Sequence, residues 1–428
     1  MTDLIKEKVQ ELIESEKFPK IKTDYKKYVT EKLLDNQIKF LKGINEDTQA
    51  ATNTTGGVSN YDPVLIKMVR RAMPQLVAFD IMGVQPMSLP TGSIFAMRNR
   101  YTSQTGTEAF FNEADSGFSG TGTQAGDTSG FAADAFGSGD PAASTAYGTG
   151  MDKATGEALG ISGGTPWAEM AFSIERVDVS TKTRKLKATF SRELQYDLKN
   201  VHDLDADTEL SNILSTEILA EIDRECIRTV NVAATLGAAN ATVPGLFDIA
   251  ADSDGRWLVE RFKGLLFQLE LESNAVAKAT RRGRPNRVIC SSNVAAALNM
   301  AGVLDYTPAL QATLQVDDTG QTYAGILMGR YQVYIDPYST RDYITVGYKG
   351  ANAWDAGVYF CPYLPLEMYR GQGQDTFNPI IGFATRYGII ANPFASHSVG
   401  GAAKSGLGLG QGENPYFRKM AVNNIAGV

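Results

Sequence analysis

The sequence is poor in the side chains that most often carry chemistry, with three cysteines and two histidines in 428 residues. Cys226, Cys290 and Cys361 are widely spaced and odd in number, so neither a disulfide framework nor a zinc site can be built from them. With only His202 and His397, catalytic arrangements that need several imidazoles are excluded as well. The cysteine content is typical of a chain that folds in a reducing compartment, the cytoplasm.

Long apolar runs, a secretory leader and an excess of basic charge are also missing. No stretch of about 18 apolar residues occurs, so the sequence predicts neither a transmembrane helix nor a membrane anchor. The N-terminus carries charges where a signal peptide would have its apolar segment. The net charge is -7 and the pI is about 5.2. Strong non-specific binding of nucleic acid needs a basic surface, which this composition does not supply.

Catalytic motifs are missing too. The chain contains no phosphate-binding loop, no H-E-x-x-H, no C-x-x-C and no G-x-S-x-G. Residues 120–125 match the dinucleotide fingerprint loosely, but no predicted strand precedes them and no predicted helix follows. Asp205, Asp207 and Glu209 do not share one helix face, and acids are common at a helix start. We therefore predict a protein that is not an enzyme, with no catalytic residue, cofactor or metal site.

Two smaller clusters have both a functional and a structural interpretation. His202 and Asp203 are sequence neighbours that would suit an acid–base pair, although such neighbours are more often incidental. The basic run 281–284 would suit a contact with nucleic acid or with an acidic neighbouring subunit, and a solvated turn is the commoner explanation.

The N-terminal part of the sequence differs from the rest. Residues 1–46 hold ten Lys and nine Asp or Glu, with one Gly and one Pro. Their apolar residues recur at helical spacing, which predicts two amphipathic helices broken near Phe18-Pro19. The apolar stripe predicted for the second helix consists of Tyr25, Tyr28, Val29, Leu33 and Phe40. A permanent helical cap and a removable assembly segment both explain this composition. Residues 47–62 are small and polar, which is typical of an extended arm.

Residues 103–165 are the most unusual segment, with 14 glycines, eight acidic residues and a single lysine. A loop of this length is either functional or poorly ordered. Strands are predicted before it, at 94–101, and after it, within 170–190. Together these features predict a long two-stranded projection with an elaborate tip.

The remainder predicts a mixed α and β body. Because a single core rarely grows beyond about 250–300 residues, the length predicts more than one packed unit. Helices are predicted at 205–230, 256–271 and 293–300, and the chain is β-rich from residue 329 onward. One face of the first of these helices carries Leu210, Ile213, Leu214, Ile218, Ile222, Cys226 and Val230. Asp62-Pro63 is expected to open a further helix that ends near Met73.

An arm, a long projection and few reactive side chains indicate a structural protein whose extensions neighbouring copies cover, because ordering them alone would cost entropy without a core. Several long runs strongly resemble the major capsid protein family of T-even-type tailed bacteriophages. They are residues 68–101, 166–225, 329–363, 382–394 and 414–419, in the family's order. The resemblance covers essentially the whole chain after Asp62.

The resemblance implies an α+β fold of the Hong Kong 97 type, with an N-terminal arm, an extended β-hairpin loop carrying an insertion, a peripheral domain with a long spine helix, and an axial domain. The implied segments are a cleavable propeptide of charged helices (1–46), the arm and first helix (47–92), the extended hairpin loop (93–190) with its glycine-rich insertion (103–165), the peripheral domain (191–285) with the spine helix (205–230), and the axial domain with returning peripheral strands (286–428).

The function implied is that of a structural subunit of an icosahedral or prolate phage head. It would form hexamers that assemble into the prohead shell in the host cytoplasm and remain in the virion. The implied partners are hexamer and shell neighbours, a vertex pentamer protein, an internal scaffold, a prohead protease, the portal, decoration proteins and a host chaperonin. Packaged DNA would be enclosed without sequence-specific contact.

The family's subunits lose an N-terminal segment to that protease, which prefers an aliphatic residue, any residue and then Glu before the cut. Ile44-Asn45-Glu46 fits this pattern and predicts cleavage between Glu46 and Asp47. Leu12-Ile13-Glu14 also fits but lies inside a predicted helix, whereas a protease needs extended, accessible backbone.

Two alternatives stay open at this point. The nearer one is the paralogous capsid vertex protein, which forms pentamers. The more distant one is a cytoplasmic enzyme that uses the acidic glycine-rich segment as a lid.

Overall fold

The computed structural model describes residues 23–47, 73, 76–110, 114–124, 147–161, 166–253, 257–301, 304–306, 322–373, 378–395 and 412–425. The helices of these residues are α1 (Asp24–Asp47), α2 (Ala78–Ile81), α3 (Lys153–Ala158), α4 (Arg192–His202), α5 (Ala206–Ala233), α6 (Leu258–Thr280) and α7 (Ser292–Met300). The strands are β1 (Gly83–Val84), β2 (Thr91–Tyr101), β3 (Met170–Ser180), β4 (Lys182–Thr189), β5 (Ala234–Leu236), β6 (Leu246–Asp248), β7 (Arg287–Ser291), β8 (Leu304–Tyr306), β9 (Thr322–Leu327), β10 (Tyr331–Asp336), β11 (Tyr343–Gly347), β12 (Val358–Gln372), β13 (Pro379–Ala391) and β14 (Asn414–Asn423).

The chain divides into two compact units. The larger consists of Met1–Ser93, Asp178–Ser396 and Lys404–Val428, and the smaller of Ile94–Val177 and His397–Ala403. The larger unit contains two hydrophobic clusters of buried side chains, which we call the first core and the second core. The smaller unit is built around the two-stranded sheet of β2 and β3, which we call the ribbon.

The first core lies against a four-stranded sheet in the order β1-β12-β13-β4. The long strands β12 and β13 pair antiparallel, β4 pairs antiparallel with β13, and β1 pairs parallel with β12. Helices α1 and α5 both bury side chains in this core. Gly83 in β1 passes so close to another segment that a Cβ there would lie 2.3 Å from the carbonyl oxygen of Ala353, so only glycine fits.

The second core lies against a larger sheet in the order β5-β14-β11-β7-β10-β9-β8, with β6 also pairing with β14. Helices α6 and α7 contact this sheet and bury their apolar faces in the same core. Because α6 shares the second core with strands β7, β9, β10, β11 and β14, the domain boundary predicted between residues 285 and 286 falls within this core. The division into peripheral and axial domains stays a prediction.

Helix α5 forms where the sequence predicts the long helix, over 28 residues instead of the predicted 26. Its buried positions repeat every three or four residues, from Leu214 through Ile218 and Ile222 to Val230, as an amphipathic helix requires. Ile213 was expected on this face, but its side chain is 61% exposed and points away from the core. Three residues before α5 begins, Asp203 adopts a left-handed conformation with φ 53° that ends α4 and allows the chain to restart as α5.

Adjacent polar residues of α5 connect it to both sheets. Arg224 lies 2.5 Å from Asp336 at the end of β10. Glu225 accepts hydrogen bonds at 2.5 Å from Arg184 of β4 and from the Tyr387 hydroxyl of β13. Because neighbouring residues on a helix point about 100° apart, consecutive positions reach two different sheets.

The strand prediction around the glycine-rich segment is correct for most residues and wrong in its pairing. Strands β2 and β3 form the ribbon, but β4 leaves it and pairs with β13 in the four-stranded sheet. The predicted two-stranded projection therefore ends near Ser180. Described parts of the glycine-rich segment include the short helix α3 and a bridge between Thr121 and Thr149.

Several predicted elements lie outside the described residues. They are the first N-terminal helix, the break near Phe18-Pro19, the arm at 47–62 and nearly all of the helix opened by Asp62-Pro63. Within the described ranges, no helix combines the length and the apolar character needed to cross a membrane.

Candidate functional site

Helix α1 is docked on the rest of the larger unit by its apolar face. Val29, Leu33 and Leu34 are completely buried and belong to the first core. Fully burying a side chain of this kind contributes roughly 1.5–3 kcal/mol, so these three residues hold the helix firmly. The apolar stripe predicted for this helix is wrong at two positions. Tyr28, which it included, is 54% exposed, and Leu34, which it left out, is buried. The side chain of Phe40 lies outside the described residues.

Polar side chains of α1 bind backbone carbonyls of the body. The Tyr25 hydroxyl donates to the carbonyl oxygen of Val84. The Asn36 amide donates to the carbonyl oxygens of Met87 at 2.7 Å and Tyr363 at 3.1 Å. Helix α1 therefore lies in a groove formed by residues 79–87 on one side and strand β12 on the other, which we call the helix groove.

A cluster of charged side chains marks one end of the helix groove. Lys26 of α1 forms a 2.9 Å ion pair with Asp80, whose backbone carbonyl accepts from Arg287 at 2.8 Å. The ammonium group of Lys349 donates to the carbonyl oxygen of Phe79. The pKa of Lys349 is lowered to about 8, chiefly by burial; Asp80 acts in the opposite direction, and Arg287 and Lys26 act in the same direction as burial. Lys26 of α1 thus pairs with the Asp80 carboxylate, while Arg287 and Lys349 bind the backbone carbonyls of Asp80 and Phe79.

One buried group of α1 is left without a hydrogen bond. Gln37 is fully buried, and neither its amide nitrogen nor its amide oxygen has a partner among the described residues. An unsatisfied buried polar group costs about 1–3 kcal/mol. Gln37 therefore weakens the docking that the neighbouring apolar residues provide.

The predicted cleavage residues lie in the last turn of α1. Ile44, Asn45, Glu46 and Asp47 are helical, and the helix ends at Asp47. We expected the bond between Glu46 and Asp47 to lie just outside the helix, and the structure instead places it within the terminal turn. The last turn of a helix lacks part of its hydrogen bonding and frays readily, so a protease can unwind it locally. The competing run 12–14 lies outside the described residues.

One face of the ribbon is saturated by its own charges. Arg100 lies 2.8 Å from Glu175 and donates to Ser173 at 2.9 Å. Arg98 lies 3.5 Å from Glu175 and 3.4 Å from Glu108. These side chains are largely buried, and their charges are paired within the ribbon.

The opposite face of the ribbon is apolar and exposed. Side chains alternate between the two faces of a strand, so the odd-numbered residues of β2 and the even-numbered residues of β3 project from this face. The large apolar ones are Phe95, Met97, Met170, Phe172 and Ile174, with exposed fractions of 50–68%. Arg176 lies on the same face, with its guanidinium 6.0 Å from the centroid of the Phe95 ring. Large apolar side chains clustered on one exposed face mark a contact surface. We call it the apolar face of the ribbon. The alternation of residues 170–174 predicted a strand from the sequence, but it did not show which face of that strand would be covered.

Residues with a possible catalytic interpretation are dispersed. His202 ends α4 and Asp203 forms its left-handed cap, while Asp207 and Glu209 lie in the first turn of α5. Of the basic run, Arg281 caps α6, and Arg282 and Arg284 lie 3.9 Å from Asp355 and Glu270. Across the described ranges, no three His, Cys, Asp or Glu side chains are grouped so as to hold a metal ion.

The three cysteines are buried thiols. Burial raises the pKa of Cys290 and of Cys361 to about 12, and raises that of Cys226 well above its usual value. A thiol that stays protonated at neutral pH is a poor nucleophile, so these side chains act in packing.

The docked helix, the saturated charges and the exposed apolar ribbon define a structural subunit that works through its surfaces. Comparison with known proteins gives the family. The model of the major capsid protein Gp23 family matches residues 58–422. The major capsid protein of Salmonella phage ViI is 46% identical over 413 residues, covering 93% of this chain and 92% of its own. That of Enterobacteria phage T4 is 38% identical, covering 90% and 86%.

The chain belongs to the Gp23 major capsid protein family. It is a structural subunit of the head shell of a tailed phage, and its place is the capsid of the virion. The described residues confirm a mixed α and β fold.

Two further comparisons concern the capsid vertex protein and the solved structures. The capsid vertex protein of Enterobacteria phage T4 is 26% identical over 244 residues, covering 53% of this chain and 54% of its own. The likeness to major capsid proteins is higher in identity and wider in coverage, so the vertex alternative is set aside. Among solved structures, "The capsid of Myoviridae Phage XM1" has a TM-score of 0.38 and 10% identity, covering 81% of this chain and 92% of that one.

Proposed function

We propose that this subunit forms hexamers in which the apolar face of the ribbon is covered by a neighbouring copy. The observation that carries the proposal is the contrast between the ribbon's two faces. One is saturated by Arg98, Arg100 and Glu175, and the other leaves five large apolar side chains in water. A contact between two different patches of identical subunits generates closed rings, which is how hexamers and then a shell arise.

The larger unit offers a matching surface on helix α4. No side chain of this helix is buried, although its sequence is strongly amphipathic. Apolar residues exposed on α4 and just after it are Leu194, Tyr196, Val201 and Leu204. A second copy of the chain that places its ribbon here would cover two apolar surfaces at once.

A substitution on the ribbon tests the contact. Phe172→Ser removes apolar area from the exposed face without disturbing a buried side chain, so the subunit should fold normally and fail to form stable shells. Phe172→Leu keeps the surface apolar and serves as the matched control. Circular dichroism would verify folding, and sedimentation and electron microscopy would count shells. Normal, heat-stable shells from Phe172→Ser would overturn the proposed contact.

The glycine-rich segment is proposed to extend the same contact. Deleting residues 104–164 should leave a soluble body that assembles poorly, because the ribbon would lose the tip that borders its contact surface. Shells of normal heat stability from the deleted chain would refute a role for this segment in assembly.

Maturation is proposed to remove residues 1–46 by cleavage between Glu46 and Asp47. Support comes from the sequence pattern of Ile44 and Glu46. The bond lies in the last turn of α1, so cleavage requires this turn to fray first. The intact mass of the chain from mature particles tests this directly. A mass that corresponds to residues 47–428 is the expected result, and a full-length mass in assembled particles would contradict it.

The remaining roles follow from the family. The subunit is proposed to act without catalysis, cofactor or metal, and to meet a vertex pentamer protein, an internal scaffold, a prohead protease, the portal and decoration proteins. A host chaperonin is proposed to assist folding. The net charge of the chain after removal of 1–46 is about -8, which gives packaged DNA no overall attraction to the shell.

A further inference from the structure

The contacts of α1 lie far from the bond that is proposed to be cut. Its described contacts with the body come from residues 25–37, including Tyr25, Lys26 and Asn36, whereas the bond follows Glu46. Cutting the backbone there removes none of these contacts. Only the covalent tether between helix and body is lost.

We propose that the helix groove is a binding surface for residues 24–46 of this chain, which stay bound after the cut, and that Gln37 makes this binding weak enough to be reversible. The inference rests on the proposed cleavage after Glu46. It separates maturation into two events, in which proteolysis breaks the chain and dissociation of the helix follows as a distinct step.

The charged end of the helix groove is suited to the groove with α1 bound and to the groove after α1 has left. With the helix bound, Asp80 pairs with Lys26, and with the helix gone Arg287 and Lys349 remain beside the same segment. The Asp80 carboxylate is therefore not left without a nearby cation when the helix leaves. Lys26 is also one of the charges that lower the pKa of Lys349, so departure of the helix raises that pKa and strengthens the remaining positive charge.

Gln37 is the feature that distinguishes a releasable helix from a permanent one. It occupies a fully buried position one helical turn after the buried Leu33 and Leu34, and its amide has no hydrogen-bond partner among the described residues. In water the same amide is fully solvated, so leaving the groove is favourable for this side chain. Leucine has a similar volume and no polar atoms, so Gln37→Leu should hold the helix more tightly.

The test uses the full chain with a recognition sequence for a site-specific protease inserted between Glu46 and Asp47. After cutting, size-exclusion chromatography and intact mass measurement determine whether the N-terminal fragment elutes with the body. We expect co-elution, and slow release after dilution. Gln37→Leu should slow release by about tenfold, because removing an unsatisfied buried amide recovers the cost of burying it.

Matched variants separate docking contacts from exposed charge. Lys26→Ala and Asn36→Ala remove contacts with the body and should speed release. Lys27 lies 3.8 Å from Asp24 of the same helix, so Lys27→Ala should leave the rate unchanged. If a variant fails to fold, a labelled peptide of residues 23–46 carrying the same substitution can be titrated against wild-type body from which the fragment has been removed.

Immediate and complete loss of the wild-type fragment would overturn the proposed binding surface. Release from Gln37→Leu as fast as from wild type would overturn the role of Gln37. Because the engineered cut does not depend on the natural protease, these outcomes are independent of the position of the natural cut, which the mass of the mature chain decides.

Discussion

Helices α1 and α5 both bury an apolar face in the first core, yet their polar contacts differ in kind. Helix α5 uses charged side chains, with Arg224 and Glu225 paired to residues of two different sheets. Helix α1 binds mostly backbone carbonyls along one groove and buries the unsatisfied amide of Gln37. Burial alone therefore does not distinguish α5 from α1, the helix that is proposed to be removed. The distinction lies in how many separate parts of the fold each helix joins.

Cavities introduced into the two helices test the difference between α1 and α5 most directly. Ile222→Ala in α5 and Leu33→Ala in α1 each remove a fully buried side chain, and each should lower the free energy of unfolding by about 2–5 kcal/mol. Urea denaturation of the full chain and of residues 47–428 measures both effects. The loss of unfolding free energy caused by Ile222→Ala should persist in residues 47–428.

Leu33→Ala carries a strict bound that serves as its control. It can destabilise the full chain only down to the stability of residues 47–428, since that chain lacks α1 altogether. A larger loss would mean that α1 and the body do not behave as separable parts.

A smaller effect is expected from the ion pair between α5 and the second sheet. Arg224→Met keeps the length of the side chain and removes its charge. It leaves Asp336 largely buried beside the hydroxyl of Tyr343 and the backbone N–H of Tyr338. We expect a loss of about 2 kcal/mol, because a buried charge then loses its partner. The double variant with Asp336→Asn should recover part of this loss, and no recovery would show that the pair does not act as a unit.

The smallest effect concerns pH. Burial raises the pKa of Glu225, but hydrogen bonds from Tyr387 and Arg184 outweigh it and lower the pKa overall from 4.5. A carboxylate with a depressed folded-state pKa contributes stability above its unfolded pKa and loses it as pH falls through the folded value. Glu225→Gln should therefore cost about 1 kcal/mol at pH 7, and the difference from wild type should shrink below about pH 4.5. Denaturation curves between pH 3 and 7 would show it, and a constant difference would contradict the assignment.

The sequence was sufficient to predict elements whose periodicity is local. The long helix α5, strand β2 and the second N-terminal helix all follow from the spacing of their apolar residues. The pairing of β4 does not follow from spacing, because β3 and β4 show similar alternation on either side of Thr181. Only the register with β13, whose residues lie about 200 positions away, decides the pairing.

The candidate site was predictable in part for the same reason. The pattern Ile44-Asn45-Glu46 is local and was found, and its place in a helical turn depends on where α1 ends. The helix groove depends on contacts of Asn36 with Met87 and Tyr363, which no local pattern encodes. Gln37 looks like an ordinary helix residue until its surroundings are known.

The contact between Asn36 and Tyr363 spans 327 residues of chain. At a synthesis rate of about 5–20 residues per second, the amphipathic helix leaves the ribosome about 15–65 s before the strand that covers it. During that interval Val29, Leu33 and Leu34 have no native partner in β12 and are free to associate with other nascent chains. The delay between the synthesis of α1 and that of β12 thus sets an interval in which the apolar face of α1 is uncovered and prone to aggregation.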